Sequence, residues 1–478
     1  MMLRCFTGLA FGFIVNTCLA QTTPEKWDLQ RCVTYALENN ISVRQSDLQT
    51  KYSELSLVQN KATRLPTLNF NSSVGYRYGR SENPTTGVLE DNNFLNLGMQ
   101  MQSQVTLFNW FSIKHTIEAS RINWEADKEQ VKKVQNDIAL NVAVAYLQVL
   151  LSREQVNLTK VQAEQTGSQL AITRKRVDAG SLPELSAAEL EAQLARDSSA
   201  LVTAEAAVQQ FILQLKALLN LDAGMPFDVA TPPVGLIPVE SLADLQPEAV
   251  YASAMANLPQ QKVLQLRLQS ALRSVAAARG AMYPTISAFG GLGSSYVNIK
   301  VPDGQFVSRA PTEAVVTISG TDYTVFAPSF IQTGERTIPL GRQLRNNFGQ
   351  SIGIGLNIPI FNGRMARSSW DRSKLDVKQW ELTKEQDSQT LKQDIYKAYT
   401  DAMAAMQKFN AGKKTVETSQ KAYDFASKRF EVGLLSTLEL VTSQNNLQRA
   451  KIDLLYAQYD YVFKMKLLEF YKGQGIKL

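Results

Sequence analysis

From Leu68 apolar and polar positions alternate. Leu68, Phe70, Val74, Tyr76 and Tyr78 fall on one side, and Asn69, Asn71, Ser73, Arg77 and Gly79 on the other. A period of two over this length predicts a strand with one apolar and one polar face. The stretch 95–107 sets Leu95, Leu97, Met99, Met101 and Val105 against Asn96, Gln100, Gln102 and Gln104. A later stretch sets Phe348, Ile352, Ile354, Leu356 and Ile358 against Gly349, Ser351, Gly353, Gly355 and Asn357. Positions 285–297 predict one more strand with weaker alternation. The polar sets are uncharged and small or amide-bearing, as in a watery lumen, while the apolar sets carry aromatics near their ends.

After Asn109 the period changes. Val131, Val134, Ile138, Ala145 and Val149 step by three, four or seven, and so do Leu391, Ile395, Ala398, Ala402 and Phe409. Such spacing predicts helices packed side by side as in coiled coils. No Pro or Gly interrupts 112–166 or 364–411. A helix of about 67 residues is a rod of roughly 100 Å. Gly180 and Gly433 then supply left-handed helix stops, and return helices begin near Pro183 and Ser436. Each long helix thus becomes a hairpin with its tip at 176–182 or 429–435. Other helices are expected over 26–63 and 245–281. The stretch 222–247, with prolines at 226, 232, 233, 238 and 247, reads as an irregular linker.

These elements occur twice. Phe108-Asn109 recurs as Phe361-Asn362, 253 positions on, and Ala145-Tyr146 recurs as Ala398-Tyr399 at the same offset. Arg176, Gly180, Leu182 and Leu185 recur as Arg429, Gly433, Leu435 and Leu438. A repeat this long is a duplicated half-molecule rather than a solenoid unit. The halves are 21–221, with a β-hairpin at 67–108, and 248–478, with a β-hairpin at 285–361. Pro66 and Pro284 open the first strand of each pair, and Pro359 lies near the end of the last. With Asn109 and Asn362 they mark where strand meets helix. The loop inside the first hairpin spans about 81–93. The loop inside the second, 298–347, is much longer and rich in Gly, Pro, Thr and Ser. Both are expected outside the cell, where membrane barrels keep their longer loops.

Four strands leave unpaired edges in lipid, so a barrel must be closed by further copies. Two copies give eight strands, whose interior side chains fill. A polar-lined pore therefore favours three or more copies.

Composition narrows the function. The formal charge is +6, with Lys and Arg scattered rather than clustered among aromatics, which argues against nucleic acid. The N-terminus has a basic start, an apolar run to Val15 and small residues to Ala20, the pattern of a secretory signal over 1–20 cleaved after Ala20. Asn16 and Thr17 fit poorly before a lipidated Cys18. The processed chain then keeps one cysteine, Cys32, read as a small buried helix residue. No later run of 18 apolar residues predicts a transmembrane helix. The single histidine, His115, excludes multi-His metal sites, and no catalytic constellation, metal set or cofactor motif is found. Gly290-Gly291-Leu292-Gly293 and Gly353-Ile354-Gly355 lie within strands, not at a strand–turn–helix phosphate loop. A secreted or periplasmic structural coiled-coil protein without a pore would share the helices but not the four strands.

The duplicated plan, Trp27-Asp28-Leu29 with Ala36-Leu37-Glu38-Asn39-Asn40, the Phe-Asn pairs and the two Arg-x-x-x-Gly tips together resemble the TolC-type outer-membrane efflux protein family. The resemblance covers nearly the whole processed chain. It implies a homotrimer in the outer membrane of a Gram-negative bacterium, with a twelve-stranded barrel in lipid and a periplasmic α-helical tunnel. That duct would dock to a periplasmic membrane-fusion adaptor and an inner-membrane transporter. It also implies adaptor docking at the tips (Arg176, Gly180, Leu182, Arg429, Gly433, Leu435). A periplasmic aperture would lie near Ser186, Phe430, Glu439 and Thr442. Glu439 keeps one of the family's two acidic aperture positions and Thr442 replaces the other. The polar lock of well-known members has Phe430, Leu435 and Ser186 at its positions, so apolar packing of Phe430 and Leu435 is expected to narrow the entrance.

Overall fold

The structure is a computed structural model that describes residues 26–82, 87–91, 93–232, 237 and 240–473. The expected signal segment, 1–20, lies outside the described residues, as do Pro233 and Pro238. The first half contains α1 (Leu29–Asn39), α2 (Ile41–Ala62), β1 (Thr67–Arg77), β2 (Arg80–Glu82), β3 (Leu89–Asp91), β4 (Phe94–Phe108), α3 (Ser112–Asp178) and α4 (Glu184–Leu219). The second half contains α5 (Pro247–Asn257), α6 (Pro259–Gly280), β5 (Thr285–Val297), β6 (Lys300–Ile318), β7 (Thr321–Thr337), α7 (Leu340–Asn346), β8 (Gly349–Asn357), α8 (Met365–Glu431) and α9 (Thr437–Tyr471). Both long helices have 67 residues, and their start and end positions keep the offset seen in the sequence.

Two compact units share these elements. One holds Tyr52–Trp124 and Leu266–Glu381 and contains the strands. Its main sheet has the antiparallel order β1-β4-β5-β8. The other unit holds the described residues of 26–51, 125–265 and 382–473. Its core comes in two parts. Cys32, Val142, Tyr146, Val149, Leu215 and Leu219 pack together from α1, α3 and α4. Leu245, Ile395, Ala398, Ala402, Met465 and Leu468 pack together around α5, α8 and α9. Burying such side chains stabilises by about 1.5–3 kcal/mol each. α3 contains a stretch apolar enough by composition to cross a membrane, but Val142, Tyr146 and Val149 show that much of it is core. Cys32 is a free, fully buried thiol pushed up to about 12 by burial, in keeping with its reading as a packing residue.

Two expectations need correction. The single helices expected over 26–63 and 245–281 are each broken. Asn40 is extended; its amide donates to the Leu218 carbonyl (2.8 Å) and its Oδ1 accepts from the Ser42 N–H (2.8 Å), which caps α2. Leu258 is extended because it precedes Pro259. The described residues of the 222–247 linker are mostly irregular and are docked. Trp27 pairs with Val229 in a parallel bridge, the Tyr146 hydroxyl donates to Ala230 O (2.6 Å), and buried Lys216 donates to Ala223 O (2.9 Å). The long 298–347 loop is mostly a two-stranded ribbon, β6 against β7, followed by α7. The shorter loop likewise holds β2 against β3, so the strands exceed the four expected.

Candidate functional site

The sheet comes first. Its register carries the sequence alternation across all four strands. Asn71 lies beside Gln100 and Gln100 beside Gly293; Asn69 lies beside Gln102, Gln102 beside Gly291 and Gly291 beside Ser351. The same register puts Phe70, Met101 and Leu292 on the opposite face. Phe289 departs from the pattern, on the polar side. Its ring lies over Gly353, where a Cβ would come within 2.7 Å of Cζ, so the glycine makes room for the aromatic. The apolar face is uncovered. Phe70, Val74, Ile352, Ile354 and Leu356 are each more than 60 % exposed. β1 and β8 each pair on one side only, so both edges keep unpaired backbone groups.

Strand gives way to helix by one device used twice. Trp110 and Phe111 have φ of 52° and 62°, and Gly363 and Arg364 at the same offset have 63° and 65°. Two successive left-handed residues turn the chain before the helix. Ser112 N–H then donates to Asn109 O, and Met365 N–H to Asn362 O (3.0 and 3.2 Å). Bulky residues pay about 1–2 kcal/mol each for this conformation. At the first junction packing offsets it. Trp110 sits 5.0 Å from Tyr283, the Ser112 hydroxyl donates to Ala277 O (2.8 Å), and Gly280 of α6 approaches so closely that a Cβ would lie 2.9 Å from Ser112 Cβ. At the second junction Ile360, Phe361 and Met365 are 94, 84 and 73 % exposed. Pro66 and Pro284 each sit one residue before their strand, and Pro359 lies just beyond β8.

The helical tips follow. α3 and α8 stop by the same double closure. Ser181 N–H donates to Arg176 O and Gly180 N–H to Val177 O (2.9 and 2.8 Å). Leu434 N–H donates to Arg429 O and Gly433 N–H to Phe430 O (2.8 and 3.0 Å). The glycines have φ of +71° and +76°, as this motif requires. The two arginines then diverge. Arg176 reaches across to donate to Glu431 O of the other tip (2.7 Å), whereas Arg429 folds back toward Leu434 O (3.5 Å). Leu182 and Leu435 are half-buried.

The expected aperture residues differ in exposure. Phe430 is buried within the chain, 4 % exposed, and Ser186 is buried too. Thr442 is exposed, its hydroxyl donating to Leu438 O (2.7 Å). Glu439 is the third residue of a capping box: its carboxylate accepts from the Ser436 N–H (3.0 Å) and hydroxyl (2.8 Å) while Ser436 Oγ accepts from the Glu439 N–H (3.3 Å). The Ser436 N–H and then its hydroxyl hold that carboxyl below its ordinary range. The Ser-x-x-Glu spacing that marks this box was visible in the sequence.

A buried polar seam was not foreseen. Thr166 of α3 donates to Asp197 of α4 (2.6 Å) and accepts from Gln444 of α9 (3.0 Å). Gln193 donates to Asp197 (2.7 Å) and exchanges hydrogen bonds with Asn445 (2.9 and 3.2 Å). The seam joins the two helical hairpins, and sequence periodicity gave no sign of which polar residues would meet inside. His115 lies one turn into α3, its Nδ1 3.5 Å from Glu118. Among the described residues no group of three or more His, Cys, Asp or Glu is placed to hold a metal ion.

Comparison with known proteins matches this arrangement. The chain is 23 % identical over 429 residues to outer membrane efflux protein BepC of Brucella suis biovar 1 (strain 1330), covering 89 % of this chain and 81 % of that one. The crystallised channel CusC superposes with a TM-score of 0.74 at 18 % identity, over 94 % of this chain and 92 % of that one. The Campylobacter jejuni CmeC outer membrane channel superposes with a TM-score of 0.72 at 16 % identity, over 94 % and 86 %. These two likenesses establish the fold. The model of the family described as outer membrane efflux protein matches residues 33–221 and 340–471, and the chain belongs to that family.

Proposed function

We propose that three copies of this chain form a passive exit duct through the outer membrane. Its sheets would close into a twelve-stranded barrel, and its helical hairpins would form a periplasmic tunnel that docks to an adaptor and an inner-membrane pump. The observation that carries this reading is the four-stranded sheet, with one uncovered apolar face, one amide- and glycine-lined face and two unpaired edges. Lipid solvates the first face, water the second, and strands of neighbouring copies satisfy the edges.

The bare second junction supports the same closure. α6 precedes β5 and covers the first junction. α2 precedes β1 in the same way and leaves Tyr52, Leu55 and Val58 more than half exposed. A neighbour's α2 can therefore cover Phe361 and Met365 as α6 covers Trp110 and Ser112. At the tips, Arg176, Gly180 and Leu182 with Arg429, Gly433 and Leu435 offer two like turns to an adaptor. Parting the tips requires breaking the Arg176–Glu431 hydrogen bond, with the Thr166–Asp197–Gln444 seam as a second restraint. Glu439 and Thr442, both exposed on the first turns of α9, are the polar residues offered for an aperture.

The test is the mass of the detergent-extracted protein from the outer-membrane fraction. Three chains, net of detergent, is the expected result. A soluble monomer from the periplasm would overturn the reading and return the chain to a coiled-coil protein without a pore.

A further inference from the structure

The β6–β7 ribbon has no counterpart of its size in the first half, whose β2 and β3 have three residues each against 19 and 17. Its root is fixed. Gln343 of α7 accepts from the Val297 N–H (3.0 Å) and donates to the carbonyls of Val297 and Ile338 (2.8 and 3.0 Å), while Phe94, Ile299 and Val301 are buried together beside it. Beyond the root β6 and β7 form a two-stranded sheet of their own among the described residues, and a two-stranded ribbon is at best marginally stable in water.

Its register gives it two apolar faces. Val316, Tyr323 and Ile331 point one way; Phe306, Val315 and Phe326 point the other. All six are at least half exposed. Exposed apolar surface on this scale marks an interaction site. Pro302, Pro311 and Pro328 remove backbone donors, which makes the edges poor templates for another strand and leaves the faces as the contact surfaces.

We propose that the ribbon packs between the ribbons of two further copies of this chain, forming a collar on the extracellular side. This rests on the three-copy reading above. In a closed ring each copy meets one neighbour with one surface and the second neighbour with another, which is what two apolar faces supply. A lipid surface would take one face and leave the other to water. Reach is ample: strands of this length extend about 55–60 Å, against a twelve-stranded barrel about 25 Å across by strand spacing and tilt.

Cysteines placed singly and together by Val316→Cys and Phe326→Cys test this in the full-length protein. An impermeant maleimide should label each single variant at least about tenfold more slowly in the extracted oligomer than in the same protein unfolded. A short bis-maleimide should link the double variant into covalent dimers and trimers and leave the Val316→Cys variant unlinked. A trimeric mass with both cysteines labelling at the unfolded rate overturns the collar alone. Protection of one face only points to lipid and overturns it, as do dimers from Val316→Cys alone, which would mean like face against like face. A monomeric mass overturns the three-copy reading and the collar with it.

Discussion

The two strand-to-helix junctions share a backbone and differ in what covers it. Both spend two left-handed residues and both close with the same hydrogen bond onto an Asn carbonyl. The first uses Trp110 and Phe111, with α6 packed against the turn; the second uses Gly363 and Arg364 and stands bare. Duplication therefore preserved a chain path, while the covering came from different sources. The first junction is completed within the chain. The second leaves Phe361 and Met365 exposed among the described residues.

The largest predicted effect separates these cases. Gly280→Ala puts a methyl 2.9 Å from Ser112 Cβ and 3.0 Å from Trp110 O, where backbone must move. Overpacking of this kind costs about 1–3 kcal/mol. Gly363→Ala meets nothing within 4 Å in the chain and bears only the left-handed backbone cost, about 1 kcal/mol. Thermal unfolding of the purified variants should rank them in that order. Equal losses would mean that the first junction is not held by packing.

Much of this was legible in the sequence because period is a strong signal where nothing interrupts it. The alternation in β1, β4 and β8 gave both faces correctly, and Gly180 and Gly433 gave both helix stops. The ribbon was read as loop for a physical reason. Register shifts at Asp303/Gly304, Phe306/Ser308 and Pro311/Val315 break the alternation, and a composition of Gly, Pro, Thr and Ser mimics irregular chain. The break at Asn40 carries no Pro or Gly and depends on a hydrogen bond to Leu218, 178 positions away. Trp110 and Phe111 gave no hint of left-handed backbone, because aromatic residues adopt it only where packing compensates. The family resemblance makes Glu439 an aperture acid, while its spacing from Ser436 signals a cap. The docking and aperture roles of the tip residues rest on the family resemblance.

The tips offer a comparison in which the outcome should be equality. Gly180 and Gly433 have the same positive φ, and neither has an atom within 4 Å of an added Cβ. Replacing either by Ala costs about 1 kcal/mol through the backbone alone. Amide exchange at Ser181 and Leu434, which donate the outer closure bonds, should accelerate about fivefold in the respective variants. A much larger effect at Gly180 would show that the Arg176–Glu431 hydrogen bond depends on that turn and that the tips are not equivalent.

The smallest effects distinguish how the return helices begin. α4 starts at Pro183 with no side-chain cap, and Arg174 pairs with Glu184 and Glu191 instead. α9 starts with the Ser436–Glu439 box. Exposed ion pairs weaken as salt screens them, whereas a local cap does not depend on reach through solvent. Raising salt should therefore speed exchange in the first turn of α4, by about twofold at most, and leave α9 unchanged. Acid acts on α9 through Glu439. The Glu439 carboxyl is depressed in the fold, so its contribution is present at neutral pH. It begins to fade below about pH 4, the ordinary carboxylate range, and is lost as pH falls through the lower folded value. Ser436→Ala removes the hydroxyl's part of the cap at every pH, at a cost of about 1 kcal/mol, but keeps the Ser436 N–H on the Glu439 carboxylate, so the acid response of the first turn of α9 should shrink and not vanish. If salt moves both tips alike, the two starts are equivalent in solution and the contrast between them has no energetic consequence.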